Sequence, residues 1–370
     1  MADRTHKDNL DTPALIVNLD AMRHNITDMA DFASAHHIRL RPHAKTHKTP
    51  TIGKMQLEAG AVGVTLAKLG EAEVFADAGF TDILIAYPLV GALKHRRLLA
   101  LMERATITVT LDHVDIADSL SRTMAANGRE IAVMVEVDTG MGRCGAQPGE
   151  TALDIALHVA RLPGLRLAGL LTHEGHAQFA GTPEQVRSTS LSAGEMMTET
   201  ANLIRRVGVD VPVISVGSTA TAKLTSLVEG VTEIRPGIYV FYDRGEMLHG
   251  LVPPERCAAR VLATVASRPA PDRLILDAGS KALSSDGAGF APPVGGFGYV
   301  VGYPDWNIRR LSEEHGIVSV SPDDAVQIGE RVEIIPNHIC PVMNLFDAMF
   351  ITQGDEVIDR WPVAARGKSQ

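Results

Sequence analysis

Short runs of apolar and β-branched residues recur along the first two thirds of the chain, and the stretches between them carry apolar residues at helical spacing. The runs cover residues 38–42, 62–66, 82–87, 106–111, 131–137, 166–172, 211–216 and 231–234. They are continuous rather than alternating, the pattern of strands covered on both faces in a parallel sheet. Before the first run, Met22, Ile26, Met29 and Phe32-Ala33 share one helical face behind an expected N-cap at Asp20. Helices over 71–78 and 150–162 end at Gly79 and at Pro163-Gly164. Strand and helix repeated about eight times predict an α/β fold, a (β/α)8 TIM-type barrel, with an open doubly wound sheet as the alternative.

Beyond about Gly250 the rhythm changes. Runs at 260–267, 273–278, 298–301, 317–320, 331–336, 348–352 and 356–361 read as short strands separated by Gly, Pro and Asp turns, with no helix-length pattern between them. A C-terminal all-β domain is expected, and 14–17 is a candidate to pair with it. The expected division is a barrel over 20–248 and a β-domain built from 1–19 plus 249–370.

Composition narrows the function. A formal net charge of −9 argues against a nucleic-acid partner, because phosphate polymers need a basic face. The local basic cluster of His36, His37 and 39–48 suits a small anionic ligand instead. No apolar run reaches the roughly 20 residues a membrane span needs, and residues 1–9 are polar and charged, so a cytoplasmic protein is expected. Cys144, Cys257 and Cys340 are widely spaced, which predicts neither a disulfide framework nor a zinc knuckle.

In such barrels the active site is built from the loops after the strands. Those positions hold Arg41-Pro-His43-Ala-Lys45-Thr-His47, Asp138-Thr-Gly-Met-Gly-Arg143-Cys-Gly, His173-Glu-Gly-His176-Ala-Gln178, Gly217-Ser218-Thr219 and Arg235-Pro-Gly237-Ile-Tyr239. Small and hydroxyl residues after strands seven and eight suit a phosphate cradle, although the same tripeptide also makes ordinary turns. Lys45 sits among His43, His47 and Lys48; nearby positive charge favours the free amine needed for imine formation, whereas most lysines are solvated surface charges. In 336–341, Pro-Asn-His338-Ile-Cys340-Pro, residues two apart on a strand would face the same way and both could reach one metal. A packed histidine and a buried cysteine are the plain alternative.

The motif around Lys45, with Asp11-Thr-Pro13 upstream and the Asp138–Gly145 loop downstream, resembles the D-threonine aldolase and D-serine dehydratase family of alanine-racemase-like, fold type III pyridoxal phosphate enzymes. The resemblance runs from about Asp11 to Gly367. It implies pyridoxal 5′-phosphate as cofactor and Lys45 as the Schiff-base lysine. Arg143 would partner the phenolic oxygen and Thr219 and Tyr239 would contact the cofactor, with Gly217, Ser218 and Gly237 cradling its phosphate. It also implies a homodimer, and a divalent ion on His338 and Cys340. The thiolate favours zinc, with manganese and magnesium as alternatives.

The resemblance further implies a D-3-hydroxy amino acid as substrate. Aldolase-like cleavage to glycine and an aldehyde is the expected reaction. Dehydration of D-serine or D-3-hydroxyaspartate to a keto acid and ammonia is the close alternative; a racemase or a non-catalytic cofactor carrier are further ones. His173 and His176 are the candidates to accept the hydroxyl proton, since imidazole titrates near neutrality.

Overall fold

The computed structural model describes residues 5–180, 182–287 and 295–370. By internal contacts the chain divides into two compact units, one of Met29–Lys45, Ile52–Gly237 and Gly367–Gln370, the other of Met1–Asp28, Thr46–Thr51 and Ile238–Arg366.

The first unit is the expected barrel. Its strands are Arg39–Leu40, Val64–Leu66, Asp82–Pro88, Thr106–Leu111, Ile131–Glu136, Leu165–Leu171, Val213–Val216 and Glu233–Ile234. Each pairs in parallel with the next from the second to the eighth, and the eighth returns to the first through Glu233↔Arg39. A parallel bridge between His43 and Thr65 joins the first strand's extension to the second, which closes the ring. Closure matters for the site because it leaves no sheet edge and gathers the strand ends into one mouth. Ile131–Glu136 is buried at every residue, as a doubly covered strand must be.

Helices separate the strands, including Leu69–Asp77, Ala92–Leu101, Val114–Ala126, Glu150–Arg161 and the 24-residue Pro183–Arg206. The last begins with Thr182 accepting from the Gln185 N–H and with proline in its first turn. The helix Leu19–Ala35 buries Met22, Ile26, Met29 and Ala33, as the spacing predicts. Its cap is not Asp20. The Asn18 side chain accepts from the Ala21 N–H at 2.8 Å, and Asp20 already lies in the first turn.

The second unit is mostly β. Strand Ala14–Asn18 runs antiparallel to Ala259–Ala270 and parallel to Ala348–Gln353, so the segment before the first barrel helix does join this sheet. The sheet continues through Arg273–Leu276, Gly316–Ser319 and Asn307–Leu311, and on its other side through Glu356–Pro362. The expectation of an all-β domain needs one correction: Ser280–Leu283 and Ile339–Met343 are short helical turns. Among the described residues no helix is long and apolar enough to cross a membrane.

Candidate active site

At the barrel mouth a cavity of about 310 Å³ is lined by His43, Lys45, Glu136, Arg143, His173, Gly217 and Arg235, with Ala67, Tyr87 and Pro88 among its apolar walls. That volume lies at the lower end of the range for small-molecule sites. These residues arrive from five strand ends: His43 and Lys45 after the first, Glu136 and Arg143 at the fifth, and His173, Gly217 and Arg235 after the sixth, seventh and eighth. The loop after the first strand is held by the His43 N–H on the Pro236 carbonyl and the Ala44 N–H on the Thr65 carbonyl, 2.9 and 2.8 Å, which fixes where Lys45 begins.

Two imidazoles in the cavity are kept neutral. Burial, then the charges of Lys45 and Arg235, hold His43 well below the ordinary histidine range. Its Nδ1 has no hydrogen-bond partner among the described residues. Burial, then Lys45, Arg143 and Arg235, hold His173 down in the same way, and its Nδ1 lies 3.4 Å from the Gly217 carbonyl. His176 behaves differently. It is absent from the cavity wall, and its ring packs against Gly140; burial lowers its pKa while Asp138 opposes.

The loop after the seventh strand is built around Glu174. This buried carboxylate accepts the Gly217 N–H at 2.8 Å, and the Ser218 N–H donates to Thr221 Oγ1 at 3.0 Å. Gly217 has φ +117°, and a Cβ there would stand 3.1 Å from the Arg235 nitrogen, so only glycine fits without strain. Ser218 and Thr219 are buried. Gly237 is half-buried in this unit, and Tyr239 is fully buried in the second unit, in the 3₁₀ turn Ile238–Val240.

Arg235 and Arg143 supply the positive charge. Buried Arg235 donates to Ser215 Oγ at 2.6 Å and to the Thr172 carbonyl, yet its Nε has no partner among the described residues. Exposed Arg143 stands 4.0 Å from the Glu136 carboxylate, whose pKa burial raises against the pull of both arginines. Its loop is tied down by Asp138, which accepts the N–H groups of Gly140 and Gly142.

In the other unit His338 and Cys340 come together, their side chains in hydrogen-bond contact. His338 Nδ1 lies 3.0 Å from Asp286 Oδ2, and Cys340 Sγ lies 3.3 Å from Thr46 Oγ1. Burial opposes charge on His338, but the Cys340 thiolate and Asp286 hold it protonated well above the ordinary range. The geometry is not that of a strand, which corrects the expectation. His338 caps the turn Ile339–Met343 with extended backbone, and buried Asp243 anchors the turn by accepting the Ile339 N–H at 3.0 Å. Two residues meet because the chain bends between them. Among the described residues no group of three or more His, Cys, Asp or Glu side chains is placed to hold a metal.

A family model for the alanine racemase N-terminal domain matches residues 17–245, and one for a putative serine dehydratase domain matches 258–352. The chain is 35% identical over 365 residues to the D-threonine aldolase of Arthrobacter sp., covering 98% of this chain and 94% of that protein. It is 35% identical over 371 residues to the D-threo-3-hydroxyaspartate dehydratase of Delftia sp. (strain HT23), covering 95% and 97%. The chain belongs to the D-threonine aldolase and D-serine dehydratase family. Among solved structures of this family, the D-threonine aldolase from Filomicrobium marinum superposes with a TM-score of 0.92 at 34% identity over 99% of this chain and 98% of that one. A cysteine-to-alanine variant of D-threo-3-hydroxyaspartate dehydratase in its metal-free form gives 0.90 at 33%, over 97% and 98%.

The family is pyridoxal phosphate-dependent, and the cavity fits that group. It offers a primary amine at Lys45, guanidinium groups at Arg143 and Arg235, and buried donors with unmet capacity beside a positive-φ glycine turn. Two of its charged residues, Glu136 and Arg235, have no role in the sequence reading, though both were readable as charges at the ends of otherwise apolar strands. His43, expected as positive charge beside Lys45, is instead held neutral by burial and by the Lys45 charge itself. The side chain of Gln178 lies outside the described residues.

Proposed function

We propose that this protein is a metal-assisted pyridoxal phosphate lyase that cleaves D-3-hydroxy amino acids to glycine and an aldehyde. The observation that carries the reading is a lysine sharing one closed-barrel mouth with an imidazole, His173, kept in its basic form. Pyridoxal phosphate, when bound, supplies an electron sink for the pair left at Cα. Lys45 is the amine that would hold it, with Gly217, Ser218, Thr219 and Gly237 toward the phosphate and Arg143 and Tyr239 as further contacts. His173 takes the proton of the substrate's β-hydroxyl. The freed O–H pair becomes the carbonyl bond, the Cα–Cβ bond breaks, and its electrons stay on Cα until a proton returns. His176, packed on Gly140, orients the neighbouring loop in this reading.

His338 and Cys340 would hold a divalent ion, zinc by its affinity for thiolate and imidazole, with water or substrate oxygen completing the shell. Such an ion lowers the pKa of a bound hydroxyl. The same nitrogen–sulfur pair favours a second reading, dehydration, in which Lys45 removes the Cα proton and hydroxide departs from Cβ. Incubation with D-threonine separates the two. Glycine and acetaldehyde in equal amounts are expected; 2-oxobutyrate and ammonia would transfer the assignment to dehydration.

The reading extends to a cytoplasmic homodimer, with a barrel over 20–248 and a β-domain of 1–19 plus 249–370. Tyr87, Val90 and Leu93, in or near the loop after the third barrel strand, are 40%, 60% and 65% exposed, and such an apolar group suits a contact between copies.

A further inference from the structure

The outer face of the β-sheet carries an arginine cluster that the lyase reading does not use. Arg273–Leu276 pairs with Gly316–Ser319, which pairs with Asn307–Leu311. Leu274, Leu276, Ile308 and Val318 are buried and mark the inner face. Regular alternation would then turn Arg310 inward. A bulge at Arg309 prevents this: Ile308 faces Val318 and Arg310 faces Ile317, leaving Arg309 as the extra residue. Two consecutive arginines are thereby exposed on the same face as Arg273 and Ile275.

Together with Pro269 and Ile317 they line a cavity of about 650 Å³. None of the three guanidinium groups has a carboxylate partner among the described residues, and the buried Arg273 Nε has no hydrogen-bond partner there. Nearby Arg268 is caged by the carbonyls of Pro271, Pro322, Asp324 and Val326, which hold its guanidinium without neutralising it. Exposed cations without a carboxylate partner among the described residues, gathered by a bulge around an apolar floor, are placed to take an anion.

We propose that this face is a binding site for a nucleoside polyphosphate, its phosphates on Arg273, Arg309 and Arg310 and its ring on Ile275, Ile317 and Pro269. Guanidinium forks match phosphate oxygens two at a time, and the isoleucine floor takes a flat apolar ring. A polymer is disfavoured, because a net charge of −9 repels an extended phosphate chain.

The test uses the full chain loaded with pyridoxal phosphate, so that the active-site phosphate cradle is filled. Titration calorimetry with ATP is expected to show one site per chain, weakened by added salt. The double variant Arg309→Ala/Arg310→Ala should bind roughly tenfold or more weakly. Arg309→Lys/Arg310→Lys, which keeps the charge but not the fork, should fall between and decides the matter if the alanine variant misfolds. Tripolyphosphate should bind more weakly than ATP; equal affinity would remove the ring from the proposal. Absence of ATP binding, or equal binding by wild type and both variants, overturns the site. So does a change of oligomeric mass in the variants without any ATP binding, which would make this face a contact between copies. Lyase turnover is unaffected in either case, so failure here is distinct from failure of the proposed reaction.

Discussion

At the scale of single residues, chemistry rests on which groups the fold keeps uncharged. His43 and His173 are both held well below the ordinary histidine value of 6.5, chiefly by burial and then by the Lys45 charge. These two imidazoles therefore bind fewer protons in the folded state than in the unfolded chain below about pH 6.5, and their contribution to stability rises with pH across that window. In the cofactor-free protein, replacing His43 with Asn should remove part of that contribution, so the melting temperature of His43→Asn relative to wild type should improve as pH falls from neutrality toward pH 5. An unchanged slope in that variant would remove His43 from the account. For the loaded enzyme, the acid limb of kcat/KM assigned to His173 should lie below the ordinary imidazole range; a limb at or above neutrality contradicts its role as the base. Lys45→Ala should lose turnover and the visible absorbance of the bound cofactor together. A variant that retained the absorbance would displace Lys45 from its role. Asp286 carries a separate prediction. Its carboxylate engages His338 Nδ1, leaving Nε2 as the nitrogen available to a metal. Asp286→Asn should weaken zinc binding by roughly 10–100-fold in a chelator competition, whether or not turnover is measured.

At the scale of elements, the barrel was legible because its strands are apolar on both faces and cannot be anything but buried. Other elements were not. Pro183–Arg206 buries small and polar residues such as Ser190, Ala193, Gly194 and Thr200, so its apolar stripe is faint although its Thr-Pro start was readable. Asn307–Leu311 reads as polar because its bulge breaks the alternation. His338 and Cys340 touch, but a bend at a helical turn, rather than the expected strand alternation, brings them together. The barrel mouth itself was readable only as loops. Glu136, Arg235 and His43 gain meaning when closure sets the strand ends side by side. Glycine shows how an element imposes itself on one residue. Gly169 has φ +150° inside strand Leu165–Leu171, and a Cβ there would fall 2.0 Å from the Val213 carbonyl oxygen. Gly169→Ala should force the sixth and seventh strands apart and lower stability by about 3 kcal/mol or more, measured by urea denaturation. A loss below about 0.5 kcal/mol would show that the strand pairing relaxes freely.

At the scale of the whole molecule, the remaining issue is what covers the apolar group at 87–93. Isolated exposed apolar residues are ordinary, but Val90 and Leu93 sit three residues apart, around a glycine turn at Gly91 and close to a tyrosine that lines the active-site cavity. A chain of net charge −9 gains nothing from presenting them to water, whereas a second copy would bury both and shield the cavity mouth. Light scattering should accordingly give about 79 kDa, twice the 39.6 kDa chain. Val90→Asp with Leu93→Asp introduces four carboxylates into a two-fold contact, two from each copy, where like charges repel and desolvation is costly. The variant should run as a monomer with its fold intact by circular dichroism. If copies share the mouth, its KM should rise and its cofactor should exchange faster. A variant that stays dimeric would place the contact elsewhere, and a monomeric wild type would leave this group exposed for another purpose.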